Sequence, residues 1–279
     1  MTDSITRYRS KTATFVFYGI LTIGALLVLV PFWWMIITSF DRLRSAAMPN
    51  PVRFLPLNWT LYNYEVAFGN VNMVRSTLNN FILIIISFTA NALVATLAGF
   101  ALSKGKFPLR NTLLIFFLST MMVPFESRVL YVFQLINKIG LLDSYIGYLL
   151  PPVMTCAFYI FLMKKAFDDV PDSLMESAHI DGAPLFIIYF RIYLPLIGPM
   201  IAALAVLDSV GIWNDMLWPL IVLRSKELYT VQISLVRYVT SHPGIVSAVV
   251  MMSIVPIATV FLICQKWIVQ GIATSGMKS

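Results

Sequence analysis

The stretch from Ser76 to Ser103, STLNNFILIIISFTANALVATLAGFALS, carries no charged side chain and stops at Lys104. A bilayer core is crossed by about 20 consecutive apolar residues in a helix, because each residue rises about 1.5 Å. Similar charge-free runs recur along the chain: Thr12 to Phe40, Ser144 to Met163, Ile192 to Leu223 (interrupted by Asp208 and Asp215), and Val239 to Gln265 with His242 near its start. The run Asn111 to Phe125 is shorter and reaches spanning length only by continuing past Glu126 and Arg128. The expected spans are 14–38, 77–103, 111–131, 145–165, 195–223 and 246–268, which make one all-α membrane domain of six helices over residues 1–279. A competing reading keeps five spans and makes the third segment re-entrant, broken at Pro124.

Composition agrees. Of 279 residues 59% are hydrophobic and 12% charged, and the mean hydropathy is +0.82. A soluble domain has about 45–50% apolar and about 25% charged residues, so a soluble enzyme, a disordered chain and a disulfide scaffold are excluded. Cys156 and Cys264 lie in apolar runs without ligand spacing, and His179 and His242 stand alone, so no metal and no cofactor are expected. The net charge of +7 comes from basic residues scattered between apolar runs. That pattern fits membrane lipid, not nucleic acid.

Arg7, Arg9 and Lys11 resemble the charged start of a secretory signal, but the apolar run after them exceeds a signal's core of about 7–15 residues, so an uncleaved first helix is expected. With both termini inside, the inner segments hold 11 Lys and Arg and the outer loops 9. The compact group Lys104, Lys106 and Arg110 weighs most. The outer loop from Asp41 to Arg75 contains Pro49, Pro51 and Pro56, which favour an extended path. No inverted repeat is visible.

The inner loop over about 171–191 is the most informative polar segment. Ser173 and Glu176 have capping-box spacing, and Gly182 stands where a helix would end. Pro184 suits the first turn of a second short helix running to about Arg191, and Pro195 opens the fifth span. On local residues alone, Glu176 caps a helix and Gly182 ends it. The longer spacing adds to this: Glu176-Ser177-Ala178, three residues, Gly182, nine residues, Ile192, one residue, Leu194-Pro195. It resembles the EAA loop of ABC importer permeases, departing only at Ser177, where alanine is usual.

The resemblance covers nearly the whole chain and is greatest to the maltose-type, carbohydrate-uptake permeases. Pro31-Phe32-Trp33-Trp34-Met35, Thr38-Ser39-Phe40, Met121-Met122-Val123-Pro124, Gly140-Leu141-Leu142 and Trp213-Asn214-Asp215-Met216-Leu217-Trp218-Pro219-Leu220 are similar to segments of those proteins, as is the tail Gly271 to Lys278. The resemblance implies a type I importer permease fold and the smaller of two permease subunits. Its implied partners are a larger permease, two ABC ATPases and an extracytoplasmic solute-binding protein, in a bacterial or archaeal cytoplasmic membrane. It implies ATPase coupling through Glu176, Ser177, Ala178, Asp181, Gly182 and Pro195. The outer loop Arg224 to Pro243, with Arg224, Lys226 and Arg237, would meet the binding protein.

Buried acids form a second constellation. Between Leu196 and Ile212 eight Leu, Ile or Val residues contribute about −0.3 to −0.6 kcal/mol each to insertion, and a central aspartate costs about +2.5 to +3.5 kcal/mol. Asp208 is therefore expected to face the bundle interior or a wet cavity. A contact on the solute path and a structural hydrogen bond to a neighbouring helix both fit it. Asn214 and Asp215 are read as path residues or as helix terminators, and Glu126 with Arg128 as a local ion pair or an interface. No phosphate loop, paired catalytic carboxylates or nucleophile–base set is found, so the chain is expected not to be an enzyme, with ATP hydrolysis in a partner subunit. The alternative is an ion-coupled secondary transporter using Asp208 or Asp215.

Overall fold

The computed structural model describes residues 11–42, 54–154, 156–237 and 242–276. Helices α1 (Lys11–Ser39), α2 (Tyr62–Val71), α3 (Met73–Lys104), α4 (Arg110–Thr120), α5 (Phe125–Lys138), α6 (Tyr145–Met154) and α7 (Ala157–Asp168) form the first part of the chain. They are followed by α8 (Ser173–Ile180), α9 (Leu185–Leu196, with a π-helical stretch Ile188–Tyr193), α10 (Gly198–Asn214), α11 (Leu217–Val222), α12 (Val231–Arg237) and α13 (Pro243–Gly276). Arg7, Arg9, Pro49, Pro51 and the end of the tail lie outside the described residues.

The expected spans 14–38 and 77–103 are the continuous helices α1 and α3, both long and apolar enough to cross a membrane. Three of the other expected spans are broken by bends. The stretch 111–131 breaks at Met121–Pro124, where α4 and α5 meet at 94° and Pro124 caps α5. The break itself falls at Pro124, where proline has no N–H for the turn before it. The stretch 145–165 is divided between α6, which contains Pro151 and Pro152, and α7. The stretch 195–223 does not begin its helix at Pro195; α9 runs through that residue and bends by 72° into α10 after Ile197. Pro195 leaves the Arg191 carbonyl without its i+4 donor, and the chain widens into the π-helical turn immediately upstream. The 246–268 stretch falls within α13.

The chain divides into two compact units, Met1–Val71 with Tyr238–Met252, and Asn72–Arg237 with Ser253–Ser279. In the first, the loop after α1 folds back on the helix end. The Asp41 carboxylate accepts from the Leu57 amide at 3.0 Å, and the Asn63 amide donates to the Ser39 and Asp41 carbonyls at 3.0 and 2.8 Å. Gly244 packs so closely here that a Cβ would stand 2.6 Å from Asn63 Nδ2.

In the second unit α3 is the central element. Its buried face runs Ser76, Asn79, Asn80, Leu83, Ser87, Asn91, Ala95, Thr96 and Gly99 at helical spacing, small or polar almost throughout. Small residues allow helices in a membrane to approach closely, and polar ones bond across the contact. At Gly99 a Cβ would lie 2.8 Å from Met163 Cβ and from the Lys164 amide nitrogen of α7. The C-terminal carbonyls of α3 are met by Arg110, whose Nη1 donates to Ser103 O at 3.0 Å.

Candidate functional site

The inner loop is two short helices joined by a tight turn. Asp172, not Ser173, occupies the N-cap of α8, and no side-chain cap bond forms. The expected Ser173–Glu176 capping box is therefore absent, because Ser173 sits one residue inside the helix. Glu176 stays exposed in the first turn, where its charge complements the helix dipole. At the other end Gly182 takes φ +74°, its amide donates to His179 O and the Ala183 amide donates to Ala178 O, both at 3.0 Å. This is a Schellman turn with Asp181 as the C-cap. Nothing lies within 4 Å of a Cβ placed on Gly182, so the left-handed backbone alone demands glycine. Pro184 takes the N-cap of α9 and not its first turn.

Glu176, Ser177 and Asp181 are exposed, Ala178 is buried, and Ile180, Leu185 and Phe186 present 87%, 56% and 71% of their surface. The turn thus offers an apolar tip with acidic flanks. Behind it Phe100 of α3 meets Phe167, Tyr189 and Tyr193 edge-on, with centroids 5.4, 5.1 and 5.3 Å away. The Tyr189 hydroxyl donates to Thr96 Oγ1 at 2.7 Å. Lys104 donates to Val170 O at 2.7 Å and pairs with Asp172 at 2.5 Å. Beside that ammonium the Asp172 carboxyl is held below its ordinary value. The loop is therefore tied to the inner end of α3. Pro195 is exposed in α9, away from the turn.

The acids separate. Asp208 is 4% exposed, accepts from Asn91 Nδ2 at 2.8 Å, and is flanked by Ser87 and Tyr159. Among the described residues, its Oδ2 and the Asn91 Oδ1 have no partner at hydrogen-bond geometry. Asp215 sits at the α10–α11 break, where it accepts from the Tyr148 hydroxyl at 3.0 Å and the Trp218 amide at 3.4 Å. Both acids line one cavity of about 330 Å³ with Asn91, Tyr148 and Tyr159. Asn214 is not brought there; it is exposed and donates to Val210 O in its own helix. Glu126 and Arg128 form no ion pair with each other, and the Arg128 guanidinium lies over the Phe125 ring, 5.8 Å from its centroid.

On the outer side, Arg224, Lys226 and Arg237 are exposed, and Arg237 stacks 4.9 Å from the Tyr229 ring centre. Their segment is held down. Asp143, at φ +57°, accepts from the Arg224 and Ser225 amides at 2.8 and 2.9 Å and from the Ser225 hydroxyl. Asn79 Nδ2 donates to the Glu227 and Tyr229 carbonyls, and Asn80 Oδ1 accepts from the Val231 amide. Residues 238–241 of this loop lie outside the described residues. Asn91, Tyr148, Tyr159, Asp143 and Phe100 are contributors that the sequence reading left unmarked, and Lys104 was read there only for orientation.

Helices long and apolar enough to cross a membrane, with polar residues buried between them, are the build of a membrane protein. The chain belongs to the family described as binding-protein-dependent transport system inner membrane component, which matches residues 91–274. It is 33% identical to the arabinooligosaccharides transport system permease protein AraQ of Halalkalibacterium halodurans, over 93% of this chain and 96% of that protein. It is 30% identical to the sn-glycerol-3-phosphate transport system permease protein UgpE of Brucella suis, over 91% and 93%. A crystal structure of a bacterial ABC transporter involved in the import of the acidic polysaccharide alginate contains a chain that superposes with a TM-score of 0.81 at 25% identity, over 94% of this chain and 99% of that one.

Proposed function

We propose that this chain is a permease subunit of an ATP-driven importer and forms part of the path for a sugar, an oligosaccharide or a related polyol or glycerol-phosphate solute. An extracytoplasmic binding protein delivers the solute, meeting the segment of Arg224, Lys226 and Arg237. A second, larger permease completes the path, and two ABC ATPases on the inner face hydrolyse ATP. Six spans cross the cytoplasmic membrane, α4–α5 as a broken one, with both termini inside. The observation that carries this reading is the inner turn: an exposed apolar tip on a Schellman-capped helix, braced by Phe100 and Lys104 against α3.

The mechanism follows from that bracing. ATP binding favours the closed ATPase pair, and α8 seated in the ATPase moves with it. Packed aromatic rings and the Lys104 bonds transmit the displacement to α3, which also carries Asn91 of the cavity. Asp208 and Asp215 then line the path near the bundle interior. An ion-coupled transporter would use the half-satisfied Asp208, but it assigns no work to the exposed turn.

Gly182→Val places a branched residue at positive φ and should abolish ATP-driven uptake and ATPase co-purification while the protein still inserts. Gly182→Asn, which tolerates that backbone, should retain most of both. Glu176→Lys, reversing the exposed charge, should behave like the valine variant. Normal uptake and ATPase retention in Gly182→Val would reduce the turn to a simple helix end and remove the main support for the importer. Vanadate-sensitive and ionophore-insensitive uptake in vesicles would separate the importer from the ion-coupled alternative.

A further inference from the structure

The cavity between α3, α6, α7 and α10 asks for donors. Asp208 and Asn91 are 4% and 1% exposed, both line the cavity, and each has one oxygen with no partner at hydrogen-bond geometry among the described residues, with the Ser87 and Tyr159 hydroxyls beside Asp208. Buried acceptors without partners are uncommon, and a pair of them points to something that supplies hydroxyl or amine hydrogens. The second acid, Asp215, accepts from the Tyr148 hydroxyl and the Trp218 amide. No basic side chain is among the described lining residues. Tyr148, Phe158 and Tyr159 add aromatic surface. The volume of about 330 Å³ is at the lower end of the range of about 300–1,000 Å³ for small-molecule sites.

We infer that this cavity is a solute subsite of the subunit itself, taking a neutral polyhydroxylated unit whose hydroxyls donate to Asp208 Oδ2 and Asn91 Oδ1, and rejecting anionic solutes. The inference rests on the importer reading and narrows its substrate class. An anion would face acceptor oxygens with no counter-charge among the described lining residues, whereas a neutral sugar ring offers hydroxyls to the open acceptors and its C–H face to the aromatic rings. Among relatives that carry neutral and anionic solutes alike, this chain's cavity chemistry selects the neutral class.

Cys156 lines the same cavity and supplies a built-in reporter. In the assembled complex carrying Cys264→Ser, Cys156 is this chain's single thiol. Its modification is followed by mass with a neutral and an anionic methanethiosulfonate of similar size, each rate normalised to a free thiol, so that the thiolate fraction cancels. The neutral reagent should react at least tenfold faster than the anionic one. Within a panel of neutral di- and trisaccharides at least one should slow the neutral reagent threefold or more, while glycerol 3-phosphate and acidic oligosaccharides should not. Asp208→Asn should raise the anionic rate and weaken the sugar's protection. Equal rates for the two reagents, protection by an anionic probe, or no protection by any neutral sugar would overturn the inference. Protection by Na⁺ alone would overturn it in favour of an ion site. Binding-protein-dependent uptake, measured in the same preparation, judges the importer reading separately, since the labelling does not depend on transport.

Discussion

The inner turn and the intramembrane cavity are both built on α3, yet they are held together by different physics. The turn is local: Ser173 to Pro184 makes its own helix, its own cap and its own left-handed glycine. The cavity is long-range: Asn91 and Asp208 are 117 residues apart in the chain and meet only when α3 and α10 pack. At the turn the apolar groups face outward and the helix end is closed by backbone hydrogen bonds; in the cavity polar groups face inward and two oxygens lack a partner among the described residues. A surface finished in backbone and open in side chains suits a rigid protein partner. A half-open cleft with unmet hydrogen bonds suits a small solute.

The sharpest way to break that contrast is at Gly99, where the support of both regions converges. Gly99→Leu would drive a side chain into Met163 and the Lys164 backbone, and overpacking of this kind should cost about 3 kcal/mol. Thermal unfolding of the complex in detergent should fall steeply, with ATPase co-purification and the charge selectivity of Cys156 labelling lost together. Loss of one without the other would show that the two regions do not share α3 as their support.

Lys104 tests the turn alone. Lys104→Met removes the donor to Val170 O and the partner of Asp172, while keeping the side chain's length against the Tyr193 ring. ATPase affinity for the permease should drop about tenfold, the worth of one charge-assisted hydrogen bond, and Cys156 labelling should not change. The Asp172 carboxyl titrates below its ordinary 3.8 because Lys104 bonds and attracts it. A depressed pKa stabilises above the unfolded value and fails as pH falls through the folded one, so this anchor should hold throughout the neutral range.

A smaller effect is expected outside. Burial pushes the Asp143 carboxyl up, but the Ser225 hydroxyl and the Ser225 and Arg224 amides outweigh it and leave the pKa lowered. The clamp is therefore complete above pH 3.8 and weakens only as pH falls through the depressed value. Asp143→Ala removes three acceptor contacts and places alanine at φ +57°. Amide exchange at Arg224 and Ser225 should quicken about tenfold, with stimulation by the binding protein reduced. Asp143→Asn, which tolerates the left-handed region, should be milder.

Much of the turn was legible because its signals are short-range. Gly182 announced a C-cap, and the structure gives it φ +74°. The capping box failed by one residue, since Asp172 competes for the same position and its backbone carbonyl takes the first helical bonds. The cavity was half legible. The insertion cost of Asp208 placed it inside, but nothing adjacent in sequence named Asn91. A signal did exist: Ser76, Asn80, Ser87 and Asn91 recur along one face of α3, a polar stripe hidden in a run read only for the absence of charge. The breaks at Pro124 and after Ile197 follow from proline's missing donor, whereas their angles of 94° and 72° depend on packing that no local rule supplies.

The smallest effect belongs to Ser177, the one departure from the EAA pattern. Ser177 is exposed in α8, one residue before the buried Ala178. Ser177→Ala should shift stability by less than about 0.5 kcal/mol, since alanine is the better helix former and nothing buried is lost. If the exposed face serves only as a solvated helix surface, Ser177→Trp should be equally quiet. If it is the seat of an ATPase, the indole must collide with the partner, and co-purification should fall sharply while thermal stability of the permease stays within a degree or two of wild type. Retention of the ATPase by Ser177→Trp would move the contact off this face and leave Ile180, Leu185 and Phe186 as the remaining docking surface to test.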